Sequence, residues 1–477
     1  MRTIMSFLSE DEMEKIHKAG LEILEKTGIK IGSEKVRKLL ARNGAKVDGS
    51  IVRLPKPLVE QSIKMVRREV LLAARDPQYD LLLPVREYPF NTTSGYSPFV
   101  KDLETGVTRN STGHDLKEFA VLCDYLDMVS FFWPIVIPTD ESPFMEELCA
   151  LDISLRNIRK HIQCSCSSER TARWQIRLAG ALVGGEENLK KRPIFSAEVS
   201  PISPLFFEKN MVEAMVTLAE AEIPVVPMTM SLTGTTAPAT IAGTMAVANA
   251  EELAALVILK CANPNAPMIY TTDIAPSDLK AGIVNYNSPE YPLLGAGCAQ
   301  MARYYGMPSM VAHDASEERP FDYSFGFERC VLKVVMSLMT RTDLSSWIGS
   351  LDNCLNTSLV DVLLDTEVCA RAFAYLRSFE VNEDTLALNV IHETGPGGHF
   401  LAHKHTLKHF RKELWTKELQ DSFIFKASTG ENYFQRAKEK VQEILARHRP
   451  PALESEMEKE MDQVMVQARR DILEFNG

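Results

Sequence analysis

The sequence predicts an α/β protein: a TIM-type (β/α)8 barrel with an N-terminal α+β extension and a C-terminal helical and loop extension. Three observations predict it. Short β-rich segments recur near Asn91, Val129, Lys160, Pro193, Ile223, Pro267, Ser309 and Leu344. Amphipathic helical stretches lie between them, for instance at 143–157, 170–184, 208–220, 240–261 and 322–340. A doubly wound sheet would show fewer such units and a glycine fingerprint, and the chain has no GxGxxG.

The elements divide the chain at about residues 90 and 380. In 1–90, Ser9 and Glu12 form a capping box, and the helix they open runs to about Lys26, with Gly28 as its stop. Helical stretches follow near 33–42 and 55–66, and AKVDGSIVRL between them reads as a hairpin with Asp-Gly at its turn. Residues 91–380 carry the repeated strand–helix units. Residues 381–477 open with VNEDTLALNVIHETGPGGHFLAHKHTLKHFRKELW, loop-rich around the Gly and Pro run at 395–398. From Glu454 a charged amphipathic helix follows, fitting either an oligomer contact or a solvated tail.

Composition excludes several classes. The 477 residues are 45% hydrophobic and 25% charged, ordinary for a globular protein with a sizeable core. A net charge of −11 argues against nucleic acid as a partner, because phosphate binding needs a basic surface. The nine cysteines contain no CxxC, so structural zinc and thioredoxin-like chemistry lose their main signal. The N-terminus has no apolar leader, and no run reaches the roughly 18 apolar residues of a membrane span. A reducing, cytoplasmic setting with no membrane is the expectation. A P-loop, HExxH and GxSxG are all absent from the sequence.

In a barrel of this type the site forms at the C-terminal ends of the strands. That rule selects Tyr96 and Phe99 from the first unit, Trp133 from the second, Glu198 from the fourth and Thr233 from the fifth. It selects Tyr270, Thr272 and Asp273 from the sixth, His313 and Asp314 from the seventh, and Trp347 from the eighth. None is a nucleophile with an adjacent base. The aromatics suit a quaternary ammonium, each face worth roughly 0.5–2 kcal/mol once desolvated; core packing uses the same residue types. Glu198, Asp273 and Asp314 can balance a cation or hold loops, and both aspartates also suit helix caps. His313 is placed for direct substrate contact, but one histidine is not a ligand set. In the cluster His392, His399, His403, His405 and His409, the spacings 399, 403 and 405 do not repeat one helical face with a carboxylate partner, and no bound metal is expected.

Two segments carry a family resemblance. SLTGTTAPATIAGTMAVANAEELAALVILKCANPNAPMIY and, more specifically, GPGGHFLAHKHTLKHFRKELW resemble the trimethylamine methyltransferase superfamily over nearly the whole chain. The resemblance implies a TIM barrel that moves a methyl group from a methylamine to the cobalt of a cognate corrinoid protein. The family's archetype carries pyrrolysine at the barrel mouth. This chain consists of the twenty standard residues, with the replaced position expected around His313–Glu318. It therefore resembles the non-pyrrolysine branch, whose members demethylate quaternary amines such as glycine betaine, proline betaine or carnitine.

Chemistry agrees with that branch. A quaternary ammonium already carries the charge that makes a neutral tertiary amine the leaving group, so no general acid is needed. The protein's task is to align the N–CH3 bond in a dry pocket. The corrinoid, supplied by the partner, is the nucleophile. A betaine carboxylate also needs donors, for which His313, the Thr233–Thr236 backbone, Thr271 and Thr272 are candidates. Glycine betaine is the expected donor and a homo-oligomer the expected assembly. Two rivals stand beside this: a non-catalytic betaine-binding protein, usually exported, and a lyase or aldolase barrel, which needs a catalytic Lys or metal ligands at strand ends.

Overall fold

The computed structural model describes residues 5–313, 339–413 and 433–476. Seven strands form one parallel sheet. Their order is Phe90–Thr93, Leu344–Ile348, Ser309–Ala312, Tyr270–Thr272, Val225–Thr229, Phe195–Val199 and Ile162–Ser165. Every neighbouring pair is parallel, and helices such as Glu169–Val183, Lys209–Glu220 and Ile241–Ala262 separate the strands along the chain. The fold is therefore α/β.

The expected second strand is irregular. Pro134 and Pro138 cannot donate to a ladder, so 129–137 makes single bridges instead. It nevertheless hydrogen-bonds to both edge strands. Ser130 N–H reaches Asn91 O at 2.7 Å on one side, and Phe132 N–H reaches His161 O at 2.8 Å on the other.

Alternation along the strands separates two cores. Phe132, Ile162, Ala197, Val225 and Tyr270 face the helices and join the large core. Phe131, Trp133, Val226, Met228, Ile269, Met310 and Leu344 face the other way and form a second cluster. The antiparallel pair Val70–Leu72 and Leu81–Leu83 packs into that cluster.

Near the N-terminus, the Ser9–Glu12 capping box opens Glu10–Glu22, which continues as a π-helical turn, Ile23–Thr27. Gly28 ends it at φ 78°, where a side chain would meet Val52 O at 2.7 Å. The hairpin is Lys46–Asp48 with Ile51–Arg53, turning through Gly49 at φ 59°.

The C-terminal helix Ser455–Asn476 is not a solvated tail. It packs on its own chain, burying Met461, Val464, Ala468 and Ile472. Trp174 Nε1–H donates to Asp471 at 2.8 Å, and Arg156 pairs with Asp462. A second difference concerns Ile241–Ala262, which by length and composition alone is apolar enough to cross a membrane. It is a core helix, most of it buried, with Glu251 and Glu252 accepting from Leu205 N–H and Thr271 N–H.

Lys160 fixes the entry to the irregular segment. Its buried ammonium donates to the carbonyls of Cys123, Leu126 and Val129 at 2.7, 2.7 and 2.6 Å. These close the end of helix Gly113–Tyr125 and the start of 129–137. Burial pulls its pKa down to about 8. Lys160→Met leaves three carbonyls unsatisfied, and urea unfolding should show a loss of about 2–4 kcal/mol.

Candidate functional site

At the C-terminal ends of the strands, on the face away from the helices, lies a cavity of about 370 Å³. Gly95, Tyr96, Trp133, Glu147, Ser165, Glu198, Ser200 and Met228 line it. Each arrives by a simple route. Trp133 and Met228 continue the second apolar cluster upward. Ser165 and Glu198 end adjacent parallel strands and pair in register. Tyr96 sits at φ 57° just beyond the strand Phe90–Thr93, held by a bond from its N–H to Pro134 O at 3.1 Å. Its hydroxyl accepts from Ser165 N–H at 3.1 Å and lies 3.3 Å from Cys164 Sγ.

Gly95 matters through its missing side chain. A Cβ there would lie 2.5 Å from Trp133 Cε2, so the indole rests directly on the backbone.

The cavity is acidic. Glu198 is buried and accepts from Ser165 Oγ at 2.5 Å and from the Ser200 hydroxyl. Glu147 accepts from both the N–H and the hydroxyl of Ser167 at 3.0 Å. Burial raises the pKa of both carboxyls, against the lowering effect of these hydrogen bonds. Two aromatic side chains beside the buried Glu198 and the half-buried Glu147 are groups of the kind that receive a cation. No Lys or Arg is among the described residues lining it.

A larger groove, of about 1450 Å³, runs outside helices Glu169–Val183 and Lys209–Glu220 and meets the cavity at Glu146 and Glu147. Its walls mix Arg, Lys and Glu side chains, whereas the smaller cavity has aromatic, Ser and Glu side chains.

Tyr96, Trp133 and Glu198 are thus brought together. The other expected residues go elsewhere. Tyr270 faces the helices, its hydroxyl donating to Asn249 Oδ1 at 3.2 Å. Trp347 belongs to the same helix-side core and is 1% exposed. Thr272, two residues beyond Tyr270 on the same strand face, is buried with it. Core packing, not a cage, is what these three do. Phe99 starts an antiparallel excursion, Phe99–Lys101 with Thr108–Asn110, and is 39% exposed.

Thr233 and Asp273 belong to a small β layer over the strand ends. Thr233 is in Leu232–Thr233, paired with Ala275–Asp278, and its Oγ1 lies 2.8 Å from Thr244 Oγ1. Asp273 is neither a helix cap nor a cavity wall: Tyr286 and Tyr291 hydroxyls donate to it at 2.9 and 2.7 Å. His313 is buried, its ring edge-on to Tyr291 at 6.2 Å between centroids. Asp314, the 314–318 part of the segment expected to replace pyrrolysine, and most of the expected 322–340 helix lie outside the described residues.

The histidine cluster departs from expectation in one respect. His405 and His409 are one turn apart on helix Lys404–Glu413, and with Asp384 they offer three ligand atoms within 4.8 Å of one another. The Asp384 carboxylate is already engaged by Lys408 at 2.6 Å and His409 at 3.2 Å.

Gly95, Glu147, Ser165 and Met228 escaped the sequence reading. Only Ser165 left a signal, as a polar residue alternating with apolar ones in HIQCS. Glu147 comes from the first turn of helix Glu146–Asn157, whose position over the strands no local pattern encodes.

Comparison with known proteins shows what the whole chain is similar to. A family model described as trimethylamine methyltransferase matches residues 2–472. A glycine betaine methyltransferase of Desulfitobacterium hafniense (strain Y51) is 30% identical over 470 residues, 98% of each chain. A trimethylamine methyltransferase of Desulfitobacterium hafniense (strain DSM 10664 / DCB-2) is 29% identical, covering 93% of this chain and 90% of the other. Among solved structures, the Methanosarcina barkeri monomethylamine methyltransferase superposes with a TM-score of 0.53 at 13% identity, covering 93% of this chain and 88% of that one. That likeness concerns the fold.

Proposed function

This chain belongs to the trimethylamine methyltransferase family and is a methyltransferase, and on that premise we propose that it transfers a methyl group from a quaternary amine, glycine betaine first, to a corrinoid held by a partner protein. Proline betaine and carnitine are the alternative donors. The observation that carries this reading is the cavity's pairing of Tyr96 and Trp133 with the buried Glu198. The name of the 30%-identical relative favours glycine betaine within the class.

Several further parts belong to the same proposal. We infer a closed eight-unit barrel over 91–380, supported by the bonds that 129–137 makes to both edge strands. The extensions 1–90 and 381–477 then flank it. The partner contact, and association with a second copy, find apolar surface in Leu388, Leu401 and Leu407, all well exposed. A cytoplasmic setting is supported by the absence of a disulfide among the described cysteines.

A corrinoid supplies the methyl acceptor; this chain binds and aims the donor. The cavity opens at the strand ends, where a partner-held acceptor can approach. Trp133 and Tyr96 enclose the ammonium and exclude water, so its methyls are fixed rather than tumbling. Glu198 balances the charge. As the methyl leaves, that charge disappears, so a bare carboxylate would favour the ground state over the transition state. Ser165 and Ser200 temper this by sharing the negative charge through their hydroxyls. No group here has to protonate the leaving amine.

Binding should depend on pH with a definite sign. Glu198 and Glu147 both carry pKa values raised by burial, and Glu146 at the rim is raised likewise. The free protein loses stability as the pH rises through those raised values, because each buried carboxyl must then ionise. A bound cation reverses the preference. Affinity for tetramethylammonium should therefore rise with pH through a range above the ordinary glutamate value and then level. Calorimetric titrations across pH will check this, and an affinity flat from pH 4 to 8 contradicts it.

The test of function is anaerobic methyl transfer, with free cob(I)alamin and then a corrinoid protein as acceptor. Glycine betaine, proline betaine, carnitine and trimethylamine are offered separately. One quaternary amine should lose a single methyl, glycine betaine giving dimethylglycine, while trimethylamine stays intact. Turnover of trimethylamine alone would overturn the reading.

A further inference from the structure

We propose that Gln163, the indole N–H of Trp133 and the hydroxyl of Ser346 form a neutral cradle for the far end of the substrate, and that this end is a carboxylate. The proposal rests on the quaternary-amine reading and extends it to the part of the molecule that does not react.

Register links the three residues through Thr92. Ser346 pairs with Thr92. Thr92 Oγ1 accepts from Trp133 N–H at 3.0 Å. Phe132 bridges Ile162, which puts Trp133 next to Gln163. Phe132 and Ile162 face the helices, so alternation turns Trp133 and Gln163 to the face away from them; Leu344 lies on that face too, and Ser346 follows it two residues on. Trp133 lines the cavity described above, and Gln163 lies one side-chain step below Ser165, which lines it too.

All three bring buried polar atoms without a protein partner: Trp133 Nε1, Gln163 Nε2 and Oε1, and Ser346 Oγ. Gln163 is 0%, Ser346 1% and Trp133 7% exposed. Buried polar groups are almost always hydrogen-bonded, and three exceptions on one face of the same sheet region call for a cause. An indole N–H can only donate, and an amide NH2 and a hydroxyl can donate beside it. A group that meets these donors has to accept from each of them, which a carboxylate does.

The level fits a zwitterion. Gln163 pairs with Ser196, whereas Glu198 pairs with Ser165, one side-chain step nearer the open end of the sheet. A betaine would therefore sit with its carboxylate deep, on Gln163, and its ammonium above, beside Glu198 and Tyr96, with a methyl toward the opening. Neutral donors hold the anionic end without adding a cation that would cancel Glu198. A glutamine serves this purpose where a lysine or arginine would not.

The test is calorimetric binding to the full chain, wild type and Gln163→Leu, with glycine betaine, choline and tetramethylammonium. Wild type should prefer glycine betaine to tetramethylammonium. In Gln163→Leu, glycine betaine should weaken roughly tenfold to hundredfold, the range for a hydrogen bond to a charged group, with tetramethylammonium unchanged. Leucine removes two unsatisfied buried atoms, so the thermal midpoint should not fall, which a structural role for Gln163 would require. Ser346→Ala gives the same comparison through a smaller change. Equal losses for both ligands, or unchanged glycine betaine binding, overturns the proposal. A loss confined to choline overturns the carboxylate assignment. If no ammonium binds wild type, the cation site itself falls and this proposal with it; if glycine betaine is demethylated equally well by Gln163→Leu, only this proposal falls.

Discussion

Glu198→Gln will separate binding from turnover. The substitution keeps the shape of the side chain and its contacts with Ser165 and Ser200 but removes the charge facing the ammonium. Losing one member of a desolvated charge pair costs about 2–4 kcal/mol. Because the substrate's positive charge fades as the methyl departs, most of that loss falls on the ground state. The expected result is a large rise in KM with kcat unchanged or raised, because a loss that falls mainly on the bound ground state lowers the barrier from it. Stability should move the other way. Burial raises the Glu198 pKa, so at neutral pH the free protein bears the cost of an ionised buried carboxyl that glutamine does not have. A variant with higher Tm and weaker substrate binding supports the assignment. A variant with lower kcat and unchanged KM would make Glu198 an acid–base group instead.

Gly95→Ala should disable the cavity with one methyl group. The added carbon would fall 2.5 Å from Trp133 Cε2 and 2.8 Å from its Nε1. Gly95 is not in the left-handed region, so backbone strain is not the issue; the indole has to move. Overpacking of this kind costs about 1–3 kcal/mol of stability. The effect on substrate should be larger, since both the cation-facing ring and the N–H assigned to the carboxylate are displaced together. More than a tenfold loss of glycine betaine affinity is expected in a still-folded protein, read by calorimetry beside thermal unfolding. Wild-type affinity would mean that the indole is packing and nothing more.

The contrast between Trp133 and Trp347 shows what a sequence can and cannot disclose here. Both end β-rich segments, and both are tryptophans among apolar neighbours. Which face each takes depends on the phase of the alternation. Strands covered on both sides show no polar–apolar rhythm to fix that phase. In PMIYTTD the described strand is only Tyr270–Thr272, too short to fix the phase, and Tyr270 and Thr272 belong to the helix side. The recurrence of strand and helix segments survived this ambiguity, because it depends on composition over many residues rather than on one residue's direction.

Where the rhythm does exist, it was informative and underused. HIQCSCS alternates His161, Gln163 and Ser165 with Ile162, Cys164 and Cys166. The polar series faces the interior: His161 Nε2 meets Ser196 Oγ at 3.0 Å, and Ser165 holds Glu198. Polar residues on the inner face of a buried strand mark a ligand or a network, and Gln163 is the member of the series without protein partners. Asp273 was illegible for a different reason. Its partners Tyr286 and Tyr291 stand 13 and 18 residues away along the chain, and only the folded β layer brings their hydroxyls onto it.

The central claim is that one cavity holds the ammonium between Tyr96, Trp133 and Glu198. A crystal structure of the protein with glycine betaine tests it most directly. The account predicts the quaternary nitrogen within about 6 Å of the Trp133 ring, beside the Glu198 carboxylate, with the substrate carboxylate on Gln163. Glycine betaine bound instead in the groove outside helices Glu169–Val183 and Lys209–Glu220, or in the same cavity with its carboxylate outermost and its methyls buried, would contradict it.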